Sequence, residues 1–265
     1  MATSPRAAVV TGASRGIGRA IATRLATAGV AVGLTARDPA TLTAVSDEIR
    51  LAGGKAVVAA ADVSGWEQVQ AASRRIESEV GPIDLLVNGA GMAAGGNLWE
   101  ADLADWWRVI EVNLRGALNW SRALLPGMVE RRRGRIVNVA GYVGIRPSGA
   151  VTPYAVAKAA LIRLTDSLAE QLSATPVKVF AIAPGTVRTE ITLSLPAFAD
   201  FTDWDPPALA ADLVVRLASG DADALNGRLL HVRDDLDEML ARAEEINALD
   251  LYQLRLYKHP GDRRP

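Results

Sequence analysis

Apolar residues in this chain fall into short unbroken runs separated by longer stretches of helical periodicity. Residues 7–11, 30–36, 55–60, 83–87, 135–140, 177–183 and 227–232 are too short for ordinary helices. They are also too uniformly apolar for strands with one face in water, so each predicts a buried strand. Segments 17–27, 39–51, 64–80, 103–133, 154–172 and 208–218 carry apolar residues at spacings of three and four and predict helices. Strands alternating with helices predict an α/β fold with a parallel sheet. In the 154–172 helix, Val156, Ala160, Leu164, Leu168 and Leu172 form one stripe at steps of four.

The punctuation agrees with this division. Gly29 and Gly81-Pro82 read as helix stops and Gly53-Gly54 as a turn. Ser64 with Glu67 three residues on reads as a capping box. Pro126-Gly127 is expected to bend the long 103–133 helix, and Arg131–Arg133 ahead of Gly134 suits a helix C-terminus. The 186–207 segment, with Leu193, Leu195, Phe198, Phe201 and Trp204, is long for a connector and reads as a lid or binding loop. Residues 1–233 form the α/β unit, with no repeat or linker. Residues 234–265 form a C-terminal extension: an amphipathic helix over 234–246, started by Asp234 and Asp235, with Leu236, Leu240, Ala243 and Ile246 on one face. A second cluster follows, of Leu249, Leu251, Tyr252, Leu254, Leu256 and Tyr257. The extension is expected to cover its own core or a subunit seam, with 259–265 loose.

Composition narrows the classes. A length of 265 residues with 49% hydrophobic and 22% charged residues suits one full-core globular unit. A net charge of −1 offers no field for a nucleic acid. The absence of cysteine excludes disulfides, thiol catalysis and cysteine-based metal sites, and two histidines argue against a histidine-rich metal centre. Met1–Arg6 lacks the apolar core of a signal peptide. No apolar run reaches the roughly 18 residues of a membrane span, so the reading is a cytoplasmic protein.

The candidate chemistry begins at Thr11-Gly12-Ala13-Ser14-Arg15-Gly16-Ile17-Gly18, between the first strand and the first helix. Glycines there permit a tight turn and close approach of phosphates, which the helix N-terminus attracts. About 20 residues on, where an acid would bind the ribose hydroxyls of NAD, stands Arg37, which suits the extra phosphate of NADP. Arg15 is placed to reach the same phosphate, and both arginines also fit the description of solvated surface charges. Asp62-Val63 ends the third strand and Asn88-Gly89-Ala90-Gly91 the fourth. Asn113, inside an apolar stripe, needs buried partners: it either holds a water chain near Lys158 or pins its helix. Tyr154 and Lys158, four residues apart, share one helical face. An ammonium there favours phenolate and lowers a phenol pKa of about 10.

In this order and spacing these motifs, with Pro184-Gly185, resemble the short-chain dehydrogenase/reductase family over residues 6–233. The resemblance implies a Rossmann-type, doubly wound, seven-stranded parallel sheet with helices on both faces, and hydride transfer with a nicotinamide cofactor, here NADP(H). It implies that Gly12, Ser14, Arg15, Gly16, Ile17 and Gly18 meet the pyrophosphate and ribose, and that Asp62 and Val63 flank the adenine. Asn88, Ala90 and Gly91 border the ribose beside nicotinamide. Val187 and Thr189, following Pro184 and Gly185, meet the carboxamide. Tyr154 is then the general acid in reduction. Lys158 holds a ribose and lowers the Tyr154 pKa, and Asn113 supports a relay water. Homodimers or homotetramers are common in the family.

One position departs from the pattern. The family's catalytic serine, usually 13 residues before the tyrosine, is here Gly141. By analogy with other oxyanion donors, losing that hydroxyl costs roughly 10²–10³ in rate. Three explanations stand. Tyr142, Ser148 or Thr152, or the substrate itself, supplies the polar group. Alternatively Tyr154 serves an isomerisation, elimination or cyclisation. Finally, the protein binds NADP(H) in a regulatory role with little chemistry. The reading is a reductase of a fairly hydrophobic carbonyl compound, or the reverse alcohol oxidation, with the non-redox or regulatory NADP-binding protein as the alternative.

Overall fold

A computed structural model describes residues 5–255. Seven strands, β1 (Ala7–Thr11), β2 (Ala31–Thr35), β3 (Ala56–Val58), β4 (Leu85–Asn88), β5 (Arg135–Val139), β6 (Lys178–Ala183) and β7 (Leu229–His231), form one sheet in the order β3-β2-β1-β4-β5-β6-β7. Every pairing is parallel. The order reverses between β1 and β4, the switch point at which open α/β sheets bind ligands at their carboxyl ends.

The period-two alternation of each strand sorts its side chains onto two layers. Ala8 and Val10 of β1 face a core built with α1 (Gly16–Thr27), α2 (Pro39–Leu51) and α8 (Pro207–Ser219). Ala7 and Val9 face the opposite core, built with α3 (Trp66–Val80), α5 (Gly116–Glu130) and α6 (Thr152–Gln171). This layering is the Rossmann-type doubly wound architecture.

The 103–133 segment is not one helix. α4 (Leu103–Ile110) passes into a π-helical turn at Glu111–Arg115 before α5. Single π-turns concentrate at functional sites, and this one contains Asn113. The capping box at Ser64 does not form: Gly65 occupies the N-cap of α3 without a side-chain bond. The Ser64 hydroxyl instead donates to Asp62 Oδ1 at 2.7 Å and accepts from Arg108 Nη1 at 2.8 Å. The charged guanidinium is a stronger donor to the Ser64 oxygen than a helix amide, and the ionised Asp62 carboxylate takes the hydroxyl proton. The stripe read on α6 is also displaced. Ala157, Leu161, Ile162, Thr165 and Ala169 are buried, whereas Val156 is exposed and Leu164 only partly covered. The buried face carries Lys158, Thr165 and Asp166 among its apolar residues, which hides it from a hydrophobic pattern.

The long 186–207 segment holds a short α7 (Glu190–Leu193), a 3₁₀ turn at Pro196–Phe198 and a cluster of Phe198, Phe201 and Trp204 rings. The tail helix is broken at Arg242 (φ −106°, ψ 16°) into α9 (Leu236–Ala241) and α10 (Ala243–Ala248). Leu236, Met239 and Ile246 bury into the α1/α8 core, and Leu254 packs near Leu161 and Leu229. The readings for Leu256, Tyr257 and 259–265 lie outside the described residues. Among the described residues no helix is long and apolar enough to cross a membrane, and no cluster of potential metal ligands occurs.

Candidate active site

Two cavities meet at the carboxyl edge of the sheet. The first, about 460 Å³, runs along the switch point. Gly12, Ser14, Arg15, Gly16, Ile17 and Gly18 form one wall, and Arg37, Asp62, Val63, Ala90, Gly91 and Thr189 continue around it. The turn into α1 is tight: a Cβ on Gly18 would stand 2.3 Å from the Gly12 carbonyl oxygen. α1 begins without a side-chain cap, leaving its first amides available to an anion. The Thr11 hydroxyl accepts from the amides of Gly89 and Ala90, both at 2.9 Å, and so ties the end of β4 to the glycine turn.

Charges at this cleft divide into committed and free. Arg15 Nη1 lies 2.6 Å from Glu190 Oε1, and the pair bridges the glycine turn to α7. Arg37 is exposed and makes no ion pair among the described residues. Its neighbour Asp38, also at the cleft, turns its carboxylate to cap α2 through the Ala40 amide at 3.0 Å. Asp62 is bound by the Ser64 amide and hydroxyl and by the Arg108 guanidinium. Burial pushes the Asp62 carboxyl up, but these bonds outweigh it and hold it below the usual carboxylate range. Arg108 carries no sequence signal for this pairing, because its partner lies 46 positions away.

Beneath the cleft a buried polar ladder ties β4, β5 and α6 together. Asn88 Nδ2 donates to Asn138 Oδ1 at 2.8 Å, and Asn138 Nδ2 donates to Thr165 Oγ1 at 2.9 Å. The Thr165 hydroxyl donates to the Leu161 carbonyl at 2.9 Å. Asn88 is therefore a buried strut under the cleft rather than part of its wall. The ladder holds α6, and with it Tyr154 and Lys158, against the sheet.

Lys158 is 4% exposed, and its Nζ donates to the Val139 carbonyl at 2.7 Å. The Nζ lies 5.3 Å from the centre of the Tyr154 ring. Burial pushes the Lys158 ammonium down to about 8 and the Tyr154 phenol up to about 12. The tyrosine shift runs opposite to the lowering expected from an adjacent ammonium, because desolvation of the phenolate dominates. Asn113, 1% exposed, donates to the carbonyls of Met92 at 2.7 Å and Val109 at 2.9 Å. Its amide thus pins the loop after β4 to the π-turn, while its Oδ1 has no partner among the described residues. A Cβ on Gly91 would stand 3.0 Å from Asn113 Oδ1 and 3.8 Å from Lys158 Nζ. That glycine leaves room where a buried acceptor and an ammonium converge, which fits a hydroxyl-bearing ligand such as a ribose.

The second cavity, about 790 Å³, opens beside Tyr154. Gly141, Tyr142, Ser148, Pro184, Gly185, Leu195, Phe198 and His231 are among its walls. Pro184 and Gly185 therefore face this cavity, not the first, and Val187 is buried at 2% exposure. Thr152 does not reach it: its hydroxyl accepts from Trp106 Nε1 at 3.3 Å. Gly141 has φ 146° and ψ 160°, a region essentially reserved for glycine. The backbone itself is thus set for a residue without a side chain.

A doubly wound parallel sheet with a glycine turn at its switch point, and a cavity-lining Tyr154 backed by the buried Lys158, defines a dinucleotide-binding oxidoreductase architecture. Residues 6–199 match the family described as short chain dehydrogenase, and the chain belongs to that family. It is 37% identical to a short chain dehydrogenase of Pseudocercospora fijiensis, over 95% of this chain and 88% of that one. It is likewise 37% identical to the 3-oxoacyl-[acyl-carrier-protein] reductase FabG of Vibrio harveyi, over 85% and 94%. Among solved structures, a metagenomic short-chain oxidoreductase in complex with NADP superposes with a TM-score of 0.72 at 38% identity, covering 83% of this chain and 93% of the other. A Brucella melitensis 3-oxoacyl-[acyl-carrier protein] reductase with bound NAD gives 0.79 at 34% identity, covering 87% and 90%.

Proposed function

We propose that this protein is an NADP(H)-dependent, cytoplasmic reductase of a bulky ketone or aldehyde, working in reverse as an alcohol dehydrogenase. The observation that carries the reading is Tyr154 at the second cavity with Lys158 buried one turn behind it.

Gly12, Ser14, Gly16, Ile17 and Gly18 hold the pyrophosphate through backbone amides, and Asp62 and Val63 border the adenine. Asp62 does so with its carboxylate already held by Ser64 and Arg108. Asn113 Oδ1 and Lys158 Nζ take the ribose hydroxyls beside nicotinamide in the space left by Gly91, with Ala90 and the Asn88 strut behind them. Val187 and Thr189 meet the carboxamide. Unpaired Arg37, beside an acid already spent on a helix cap, supports the phosphate-bearing cofactor over NAD. When bound, the reduced nicotinamide supplies the hydride that the carbonyl carbon accepts. Tyr154 donates its proton to the carbonyl oxygen, and the burial that pushes the phenol up to about 12 is opposed by the positive charge of Lys158. The phenolate left behind is stabilised by the Lys158 ammonium. Apolar residues exposed on α4 to α6, namely Leu103, Trp107, Leu118 and Val156, suit contact with a second copy in a homodimer or homotetramer.

The test is cofactor absorbance against a panel of carbonyl compounds, with Tyr154→Phe as control. The reading requires turnover by the natural protein and none by the variant, with NADPH binding intact in both. Tight NADPH binding without turnover of any compound would overturn it in favour of the non-redox or regulatory protein.

A further inference from the structure

The glycine-only backbone at Gly141 means that any donor steadying the substrate carbonyl comes from elsewhere in the 790 Å³ cavity. Among the hydroxyls there, Thr192 already donates to the Val187 carbonyl at 2.8 Å and Ser194 to the Ile191 carbonyl at 2.9 Å, and Tyr142 is 39% exposed with its ring face against His231. Ser148 lies on the connector ahead of the 3₁₀ turn at Gly149–Val151, among exposed residues and with no side-chain hydrogen bond among the described residues. His231 is different. It ends β7, in register with Ala183 of β6. It shares a strand face with Leu229, which packs with Leu161 and Ile162 of α6, so its ring lies on the sheet face that carries Tyr154.

Two contacts hold that ring and a third holds its backbone. It stacks on Tyr142, the residue next to Gly141, with centroids 4.5 Å apart and planes 16° from parallel. Its backbone amide donates to Asp234 Oδ2 at 2.7 Å. The Arg233 backbone amide donates to its Nδ1 at 3.2 Å. A backbone amide only donates, so Nδ1 is the acceptor and the neutral ring carries its proton on Nε2. No protein group takes that N–H among the described residues. Gly144 completes the arrangement: its missing Cβ would stand 2.7 Å from the Lys158 carbonyl carbon, so the turn carrying Tyr142 packs directly on the catalytic helix.

We infer that His231 takes the place of the absent serine hydroxyl, its Nε2–H hydrogen-bonding the oxygen of the substrate carbonyl opposite Tyr154. The inference rests on the reductase reading. In reduction the carbonyl carbon gains the hydride and the oxygen gains the Tyr154 proton. His231 keeps its own proton throughout, and a hydrogen bond fixed before reaction steadies the charge that builds on the oxygen.

The test compares kcat for the natural protein, His231→Phe, His231→Gln and Ser148→Ala. Phenylalanine keeps the stack on Tyr142 without the N–H, and glutamine restores an N–H. The expected result is a loss of about 10²-fold in His231→Phe, substantial recovery in His231→Gln, little change in Ser148→Ala, and unchanged NADPH affinity. A second readout leaves His231 untouched. In Tyr154→Phe, with oxidised cofactor and bound ketone, the carbonyl stretching frequency stays lowered because His231 still donates. Full activity in His231→Phe overturns the inference alone, as does a loss that falls on Ser148→Ala, or a carbonyl frequency in Tyr154→Phe equal to that in an apolar solvent. Absence of turnover by the natural protein overturns the reductase reading and this inference with it.

Discussion

Replacing Lys158 with methionine removes a charge that the fold buries at a cost. The side chain is 4% exposed, and burial lowers its pKa from 10.5 to about 8. Below pH 8 the lysine is protonated in both folded and unfolded chains, and the full cost of the buried ammonium is present. Between 8 and 10.5 the unfolded chain binds the proton that the folded chain has released, so stability rises with pH through that window. A drop from 10.5 to about 8 corresponds to roughly 3 kcal/mol at pH 7, of which about 2 kcal/mol is recovered by about pH 9.5. Tyr154 acts in the other direction, but only above 10, because its folded pKa is raised from 10.0 to about 12. Staying below that keeps the two groups apart. Urea denaturation of the cofactor-free protein and of Lys158→Met across this range is therefore expected to show the natural protein gaining about 2 kcal/mol on the variant as pH rises. A difference that stays flat with pH would mean that Lys158 titrates alike in both states and that its burial carries no such cost.

Three further outcomes follow from named contacts. Arg37→Ala is expected to weaken NADPH binding by roughly 10- to 100-fold, the loss of a charge-assisted bond of about 1.5–3 kcal/mol, with NADH binding unchanged in the same fluorescence titration. Thr165→Val strips Asn138 Nδ2 of its acceptor in the buried ladder. It should lower unfolding free energy by about 1–3 kcal/mol and kcat along with it, because α6 loses its anchor. Gly141→Ala meets open space but the wrong backbone region, so calorimetry should show a loss of about 1–3 kcal/mol.

Much of the fold is legible in the sequence because the parallel strands are buried on both faces and appear as unbroken apolar runs. Ala7–Thr11 is readable without any partner in view. The glycine turn and the Tyr154/Lys158 pair are local patterns too, and a local pattern survives in one dimension. What escapes is whatever depends on a distant partner. Arg108 is an ordinary helix arginine until Asp62 is placed beside it. Asn138 and Thr165 look like weak strand and helix residues until the ladder forms between them. His231 has no motif at all, and only the register of β7 against β6 brings it to the cavity. The lowering of the Tyr154 pKa expected from Lys158 is outweighed by burial for a related reason. Sequence spacing sets the distance to Lys158, whereas the depth of burial, which dominates here, is a property of the whole packed domain.

The claim at the centre of this account is that a hydride passes from the nicotinamide to a carbonyl carbon beside Tyr154. Turnover of a ketone with NADPH deuterated at the transferable position, followed by mass spectrometry of the product, tests it directly. The expected product is an alcohol carrying one deuterium on the former carbonyl carbon. A product formed without deuterium, with the cofactor left unoxidised, would contradict it.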